Sequence, residues 1–319
     1  MNKVAIGGLG LFCLVSAGSV FGRTLWLFDL LTHFRLQYVI AGAILALTLV
    51  ALRRWIGAGI AAILAVANAA PLVPYLDTPP AISAPGSGEA VKVMAVNLRH
   101  SYGNMDATRR LIRAERPDVV LLTEFLPAHE PALEALGDIL PHRVGTKPNG
   151  IFDATLLSRL PIVRSRIHFP SARFLPVIEA RLCREPDGEG TCLTVIGLHS
   201  PRPEFRRGRA QVKTFDLVAA LAAAVADRRV VVIGDLNTTP FSHRFRDLMS
   251  RGGLADAALG ATFRTTWISR FPPFGLTLDH VLVGAGLRPL ARRVADSIGS
   301  DHFPLIVDLM IDGSTPVRR

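Results

Sequence analysis

The chain has 319 residues, 50% of them hydrophobic and 19% charged, with a formal net charge of +10. A composition so apolar and so poor in charge excludes a disordered polypeptide and is unusual for a water-soluble one. The apolar excess is concentrated: five of the 36 basic and two of the 26 acidic residues lie in the first eighty positions, which leaves residues 81–319 polar with net +7.

Three charge-free apolar runs open the chain, at residues 4–22, 36–52 and 55–75. Each is about as long as a helix needs to be to cross a hydrocarbon core of about 30 Å. Three such runs leave no polar face to meet water, so they read as membrane spans. The first run has an alternative reading as a secretory signal, with Lys3 as its basic start and small residues at 17–19. Lys3 precedes the first run, and Arg53–Arg54 form the turn between the second and third. Basic residues favour the cytoplasmic side, so the loop holding Arg23, Asp29 and Arg35 falls outside and the third run exits outward. Cleavage after the first run leaves that outcome unchanged.

From Pro71 to Gly88 the sequence is PLVPYLDTPPAISAPGSG, too rich in proline for a regular helix and flexible at its Gly/Ser end. The expected organisation is an anchor over 1–75, a linker over 76–90, a catalytic domain over 91–312 and a tail over 313–319. From residue 91, β-rich runs alternate with helical stretches, the pattern of an α/β domain. One such stretch, 206–227, repeats Val212, Phe215, Val218 and Leu221 at helical spacing.

Four apolar strands each end in a polar residue suited to catalysis: 91–96 at Asn97, 119–123 at Glu124, 193–198 at His199 and 230–234 at Asp235. A single strand-end Asp or His usually serves a turn, but four in one chain point to the strand ends where α/β sheets bind ligands. GDLN (234–237), LDH (278–280) and SDH (300–302) add further carboxylates, amides and imidazoles. There is no zinc-type Cys/His spacing, P-loop, nucleophile elbow or dinucleotide turn. Oxygen donors without thiolates suit Mg²⁺ or Mn²⁺, and the chemistry they favour is metal-assisted hydrolysis of a phosphate ester.

Seven segments carry a specific resemblance: VMAVNL (93–98), PDVVLLTE (117–124), ATLLSRLPI (154–162), LTVIGLHSPRP (193–203), VVIGDLNTTPFS (231–242), LTLDHVLV (276–283) and SDHFPLIVDL (300–309). In this order they resemble the endonuclease/exonuclease/phosphatase superfamily, whose fold is shared by DNase I, exonuclease III-type enzymes, inositol polyphosphate 5-phosphatases and neutral sphingomyelinases. The preceding apolar segment resembles a bacterial subgroup anchored by N-terminal helices. The resemblance implies a DNase I-like two-sheet α/β sandwich following transmembrane helices.

It also implies roles. Glu124 is expected on the metal, with Asn97 holding metal or phosphate and Asp301 as a second ligand or a partner of one. Asp235 would orient or deprotonate the attacking water, and Asn237 would bond the phosphate oxygen that gains charge. His302 would donate to the scissile phosphate with Asp279 fixing its tautomer, and His199 would protonate the leaving oxygen. Asp153 is the candidate partner of His199, while His280 should point away from the site because strand side chains alternate. The basic residues Arg202, Arg206, Arg207 and Arg209 read as a solvated helix start.

These readings describe a membrane-embedded, metal-dependent phosphoesterase of the cytoplasmic membrane, with its catalytic domain on the outer, periplasmic side. The substrate class stays open among nucleic acid, a phospholipid head group and a cell-wall or soluble sugar phosphate, and no protein partner is inferable. The rival reading is a pseudo-enzyme that only binds phosphate or a partner, although the chain keeps Glu124, Asp235 and His302. Cys183 and Cys192 flank a turn-rich insert between two strand-like runs, a spacing suited to a hairpin disulfide outside the cytoplasm. The topology has a direct check: a reporter active only in the periplasm should give signal when fused after Gly88 and none when fused at Arg53. The reverse result would overturn the orientation.

Overall fold

The computed structural model describes the chain except for residues 1, 24–25, 77–87, 101–103, 147–152, 171–174, 186, 188–190, 205–207, 261–263, 272–273 and 313–319. Most of the expected linker, the tail, Arg206 and Arg207 therefore lie outside the described residues. The chain forms two compact units, one of Met1–Leu76 with Thr238–Arg246 and the other of Asp77–Asn237 with Asp247–Arg319.

The first unit is helical: α1 (Asn2–Val20), α2 (Trp26–Leu31), α3 (Arg35–Ala51) and α4 (Trp55–Ala69). Three helical stretches, Lys3–Val20, Trp26–Ala51 and Trp55–Tyr75, are long and apolar enough to cross a membrane. The second stretch begins ten residues before the expected run, because α2 and a 3₁₀ turn at Thr32–Phe34 lead directly into α3. Asp29 and Arg35, expected in a loop, are thus helical. Pro71 and Pro74 do not end the third stretch but convert its last turns to 3₁₀ helix over Ala70–Tyr75, since proline removes the donors an α-helix requires. Polar side chains join the apolar helices: Arg35 Nη1 donates to Asn68 Oδ1 at 2.6 Å, and Asn68 Nδ2 donates to Ser16 Oγ at 3.1 Å. Such bonds are retained between membrane-type helices because the alternative is an unsatisfied group in hydrocarbon.

The second unit contains two six-stranded sheets. Its strands run β1 (Glu89–Asn97), β2 (Val119–Phe125), β3 (His142–Gly145), β4 (Asp153–Ser158), β5 (Ile162–His168) and β6 (Val177–Cys183). They continue with β7 (Cys192–His199), β8 (Val230–Asp235), β9 (Leu254–Asp256), β10 (Asp279–Gly284), β11 (Leu287–Val294) and β12 (Leu305–Ile311). Sheet orders are β11-β12-β1-β2-β4-β3 and β5-β6-β7-β8-β10-β9. Each sheet has a parallel pair at its centre, β1 with β2 and β7 with β8.

Side-chain alternation builds the layers. Val93 and Leu121 of the first sheet and Val195, Ile233 and Val281 of the second fill the shared core. The intervening Met94, Val96, Val120 and Leu122 pack on the opposite face with Ile112 of α5 (Met105–Glu115). After a short helix α6 (Glu130–Glu134), α7 (Gly208–Ala223) buries Phe215, Val218 and Ala222. The two sheets stack through that core, which carries the polar ends of their central strands to one edge.

The β6–β7 hairpin sets Cys183 directly opposite Cys192, and the two form a disulfide with Cα atoms 4.1 Å apart. Closing so short a loop contributes about 2–3 kcal/mol. One glycine is fixed by the approach to the site. Gly234 has φ +137°, and a Cβ there would meet the Leu198 carbonyl oxygen at 1.9 Å. Gly234→Ala should therefore lower stability by more than about 1 kcal/mol, measured by thermal unfolding of the purified protein in detergent. An unchanged melting temperature would contradict the close approach.

Candidate active site

The first sheet supplies Asn97 and Glu124. Asn97 ends β1 and pairs with Thr123 of β2. Between Thr123 and Phe125 the β2–β4 register shifts, and Glu124 takes φ +55° within the bulge. A non-glycine residue there carries strain of about 1–3 kcal/mol, and a bulge re-aims the side chain it holds. Glu124 is 5% exposed.

The second sheet supplies three residues from adjacent strands. His199 of β7 lies beside Asp235 of β8 in parallel register, and Asp279 of β10 lies beside Asp235 on the other side in antiparallel register. The interstrand register itself assembles the set. Asn97 spans the two sheets, its Nδ2 donating to Glu124 Oε1 and to Asp235 Oδ2, each at 3.1 Å. His199 Nε2 is 3.5 Å from both of those oxygens. His302, beyond the strands, places Nδ1 2.8 Å from Asp279 Oδ2 and Nε2 3.7 Å from Asp235 Oδ2.

Asn237 closes the turn after β8. Its backbone N–H donates to Asp235 Oδ1 at 2.8 Å, and its Nδ2 donates to the Ser200 carbonyl at 2.8 Å. Its φ is +49°, a left-handed conformation that asparagine tolerates better than most residues. Asp279 is fixed through its own N–H, which donates to Thr266 Oγ1 at 3.0 Å.

Burial raises the Asp235 carboxyl above the ordinary range, and Asp279 adds to the effect, while His302 and His199 oppose it. For His302, burial disfavours the charged ring, but the Asp279 and Asp235 carboxylates outweigh it and hold its pKa at about 10. The imidazolium is therefore the resting form at neutral pH. The carboxyl groups of Glu124, Asp235 and Asp279 are all buried here, and charge in a buried site must be compensated. Glu124, Asp235 and His199 offer two oxygens and one nitrogen all within 4.8 Å of one another, and Asp235, Asp279 and His302 form a second such group. Oxygen-rich sets of this kind fit Mg²⁺ or Mn²⁺.

Asn97 turns its Nδ2 to the carboxylates, while its Oδ1 accepts from the Arg99 backbone N–H at 2.9 Å. It sits as a donor between carboxylates rather than with its oxygen towards them. Asp301 falls outside both convergent groups: its Oδ2 accepts from Trp267 Nε1 at 3.3 Å and lies 3.4 Å from Arg99 Nε. Asp153 opens β4 opposite Phe125, beside the Glu124 bulge, and accepts from Thr146 Oγ1 at 2.9 Å. His280 faces away, its Nδ1 3.9 Å from Asp256 Oδ2.

Two groups went unnoticed in the sequence. His100 brings Nδ1 to 3.1 Å from Glu124 Oε2, and Gln211 of α7 donates from Nε2 to the Leu236 and Asn237 carbonyls at 3.4 Å. The pair Arg99–His100, placed just after a strand-end amide, was the available signal for the first. Nothing in a helical repeat distinguishes the second.

A two-sheet sandwich whose central strands deliver buried carboxylates, amides and histidines to one edge defines a class of phosphoester-processing enzymes. The sequence profile of the Endonuclease/Exonuclease/phosphatase family matches residues 94–302, and the chain belongs to that family. Similar solved structures include D. rerio TDP2 complexed with a single-strand DNA product, with TM-score 0.58 and 16% identity over 69% of this chain and 99% of that one. A mannosyl-6-phosphatase of Bacteroides thetaiotaomicron gives 0.55 and 18%, over 69% and 99%. Sphingomyelinase C from Streptomyces griseocarneus gives 0.52 and 22%, again over 69% and 99%. No curated protein matches the chain significantly.

The ion pair has a pH signature. Because the folded pKa of His302 is raised from 6.5 to about 10, its contribution to stability is complete below pH 6.5 and is lost as pH rises through 10. Ring-nitrogen NMR of the metal-free protein should show imidazolium through about pH 8. Asp279→Asn should lower the midpoint by more than about one unit. A wild-type midpoint near 6.5 would contradict the pairing.

Proposed function

We propose that the protein is a membrane-anchored, divalent-metal-dependent phosphodiesterase. The observation that carries this reading is the placement of Asp235, within 4 Å of His199, His302 and Asn97 at once. A buried carboxylate held above its ordinary range is a better proton acceptor, so Asp235 takes a proton from the attacking water. Protonated His302, fixed by Asp279, donates to a non-bridging phosphate oxygen, and Asn237 bonds the oxygen that gains charge. His199 supplies the proton to the leaving oxygen as the P–O bond breaks. Glu124 would hold the metal, with Asn97 beside it, and Asp153 and Asp301 support this set from its edges. When bound, the cation supplies Lewis-acid stabilisation of the phosphate charge.

The three similar structures process or hold a nucleic acid, a mannosyl phosphate and a sphingomyelin-type substrate by their names. Substrate class therefore follows from features outside the shared fold. The apolar helices favour a phospholipid head group, because a tether raises the effective concentration of enzyme at the bilayer. A second reading, nucleic acid, is favoured by the net +7 of residues 81–319. The basic residues Lys3, Arg53 and Arg54 favour an N-terminus in the cytoplasm and a catalytic unit outside.

The full-length protein in detergent should hydrolyse bis(p-nitrophenyl) phosphate with Mg²⁺ or Mn²⁺ and lose activity with EDTA. Asp235→Asn should lower kcat by about 10³-fold or more with little change in KM, because proton transfer acts in the transition state. Retention of more than about a tenth of the rate would overturn the role of Asp235. Assaying phospholipid vesicles, DNA, RNA and sugar phosphates side by side separates the substrate classes.

A further inference from the structure

Asp29 lies in α2, within an otherwise apolar stretch, and is 4% exposed. Both of its carboxylate oxygens are engaged by a segment more than two hundred residues away. Oδ1 accepts from the His243 backbone N–H at 2.7 Å, and Oδ2 accepts from the Ser242 hydroxyl at 2.7 Å. One helical turn later, His33 Nδ1 lies 2.8 Å from Thr239 Oγ1 and accepts from the Thr239 N–H at 3.4 Å. The Tyr75 ring meets Phe241 edge-on at 5.9 Å. Thr239, Phe241, Ser242 and His243 all belong to the same compact unit as α1–α4.

A carboxylate in an apolar helix is costly to bury and persists where its partners compensate it. Here the partners are the first N–H and the preceding hydroxyl of α8 (His243–Gly252), with Arg244 Nε 4.0 Å from Oδ2, so Asp29 caps that helix from outside its own sequence. Thr238 is joined by one peptide bond to Asn237, the left-handed residue whose N–H holds Asp235. A turn in a sparsely populated conformation persists only when its flanks are fixed. On the upstream side the β8 ladder and Gln211 fix it. On the downstream side the fixing groups are Asp29 and His33.

We infer that Asp29 and His33 are positioning residues for the Asp235–Asn237 turn, which makes the helical anchor a component of the active enzyme as well as a tether. This rests on the phosphodiesterase reading of the turn.

The test uses the full-length protein in detergent, comparing wild type with Asp29→Ala, His33→Ala and Asp29→Asn. Thr48→Ala, which removes only a bond to the Ile44 carbonyl on α3, is the control. Two quantities are read: hydrolysis of bis(p-nitrophenyl) phosphate, and hydrogen exchange of the amides from Leu236 to His243. Both alanine variants should exchange faster across the whole segment, with kcat lowered about ten- to a hundredfold and KM within about twofold. Asp29→Asn, which keeps an acceptor for the His243 N–H, should recover part of the rate, and Thr48→Ala should match wild type.

The inference is overturned if kcat of the alanine variants stays within about twofold of wild type. It is equally overturned if faster exchange stops at Thr239 and leaves Leu236 and Asn237 protected. Should Asp29→Ala lose its helices, Ser242→Ala removes the bond to Asp29 from the opposite side, together with the bonds its hydroxyl accepts from the Arg244 and Phe245 N–H groups, and carries the same expectation. A wild-type protein inert to every phosphate ester refutes the phosphodiesterase reading, and the exchange pattern then decides the positioning role by itself.

Discussion

The constraint on which the site depends is the cost of crowding carboxylates where water is excluded. Glu124, Asp235 and Asp279 are each no more than 5% exposed. Burial alone would drive such groups towards neutrality. Donors aimed from several directions instead compensate them: the Asn97 amide between two of them, the Asn237 N–H on a third oxygen, and the His302 ring against Asp279. The two responses differ by position. The Asp235 carboxyl is pushed up by its burial, whereas the carboxylates around His302 hold its ring in the charged form. A carboxyl pushed up and a ring held charged are thereby set 3.7 Å apart, the divergence expected of a paired base and acid.

Backbone geometry sustains that arrangement at some cost in local stability. Glu124 and Asn237 occupy left-handed conformations, and Gly234 allows β8 to approach the Leu198 carbonyl. Each departure lies at or next to a strand end that carries a polar group into the site. The rigid β-ladders on either side, with cores dry enough to bury Val93, Leu121, Val195 and Ile233 completely, over-determine these residues and keep them strained.

The helical unit repeats the same logic on a smaller scale. An apolar bundle tolerates Arg35, Asn68 and Asp29 because each has a specific partner. For Asp29 the partners are Ser242 and His243, in the segment that follows Asn237. Polar residues in apolar helices are thus better read by what they bind than by where the hydropathy profile puts them.

The sequence alone determined the class of the fold, because short apolar runs alternating with helical stretches are a local property, and the resemblance of seven segments implied the two-sheet sandwich. It also located the polar strand ends: Asn97, Glu124, His199 and Asp235 do terminate or lie at the ends of strands. The spacing of Cys183 and Cys192 about a turn was likewise local, and register places them opposite one another. Only the tertiary structure decided which groups meet. That Asp235 stands between His199 and Asp279 follows from interstrand register, which no single segment encodes. That His100 joins Glu124 while Asp301 turns to Trp267 depends on loop conformations fixed by distant neighbours. The helical state of Asp29 escaped a hydropathy reading because its charge argued for a loop, and the hydrogen-bond partners that permit its burial are supplied from residues 242–243. Local patterns specify elements; compensation of buried charge is a long-range property, and it exists only once the chain has closed on itself.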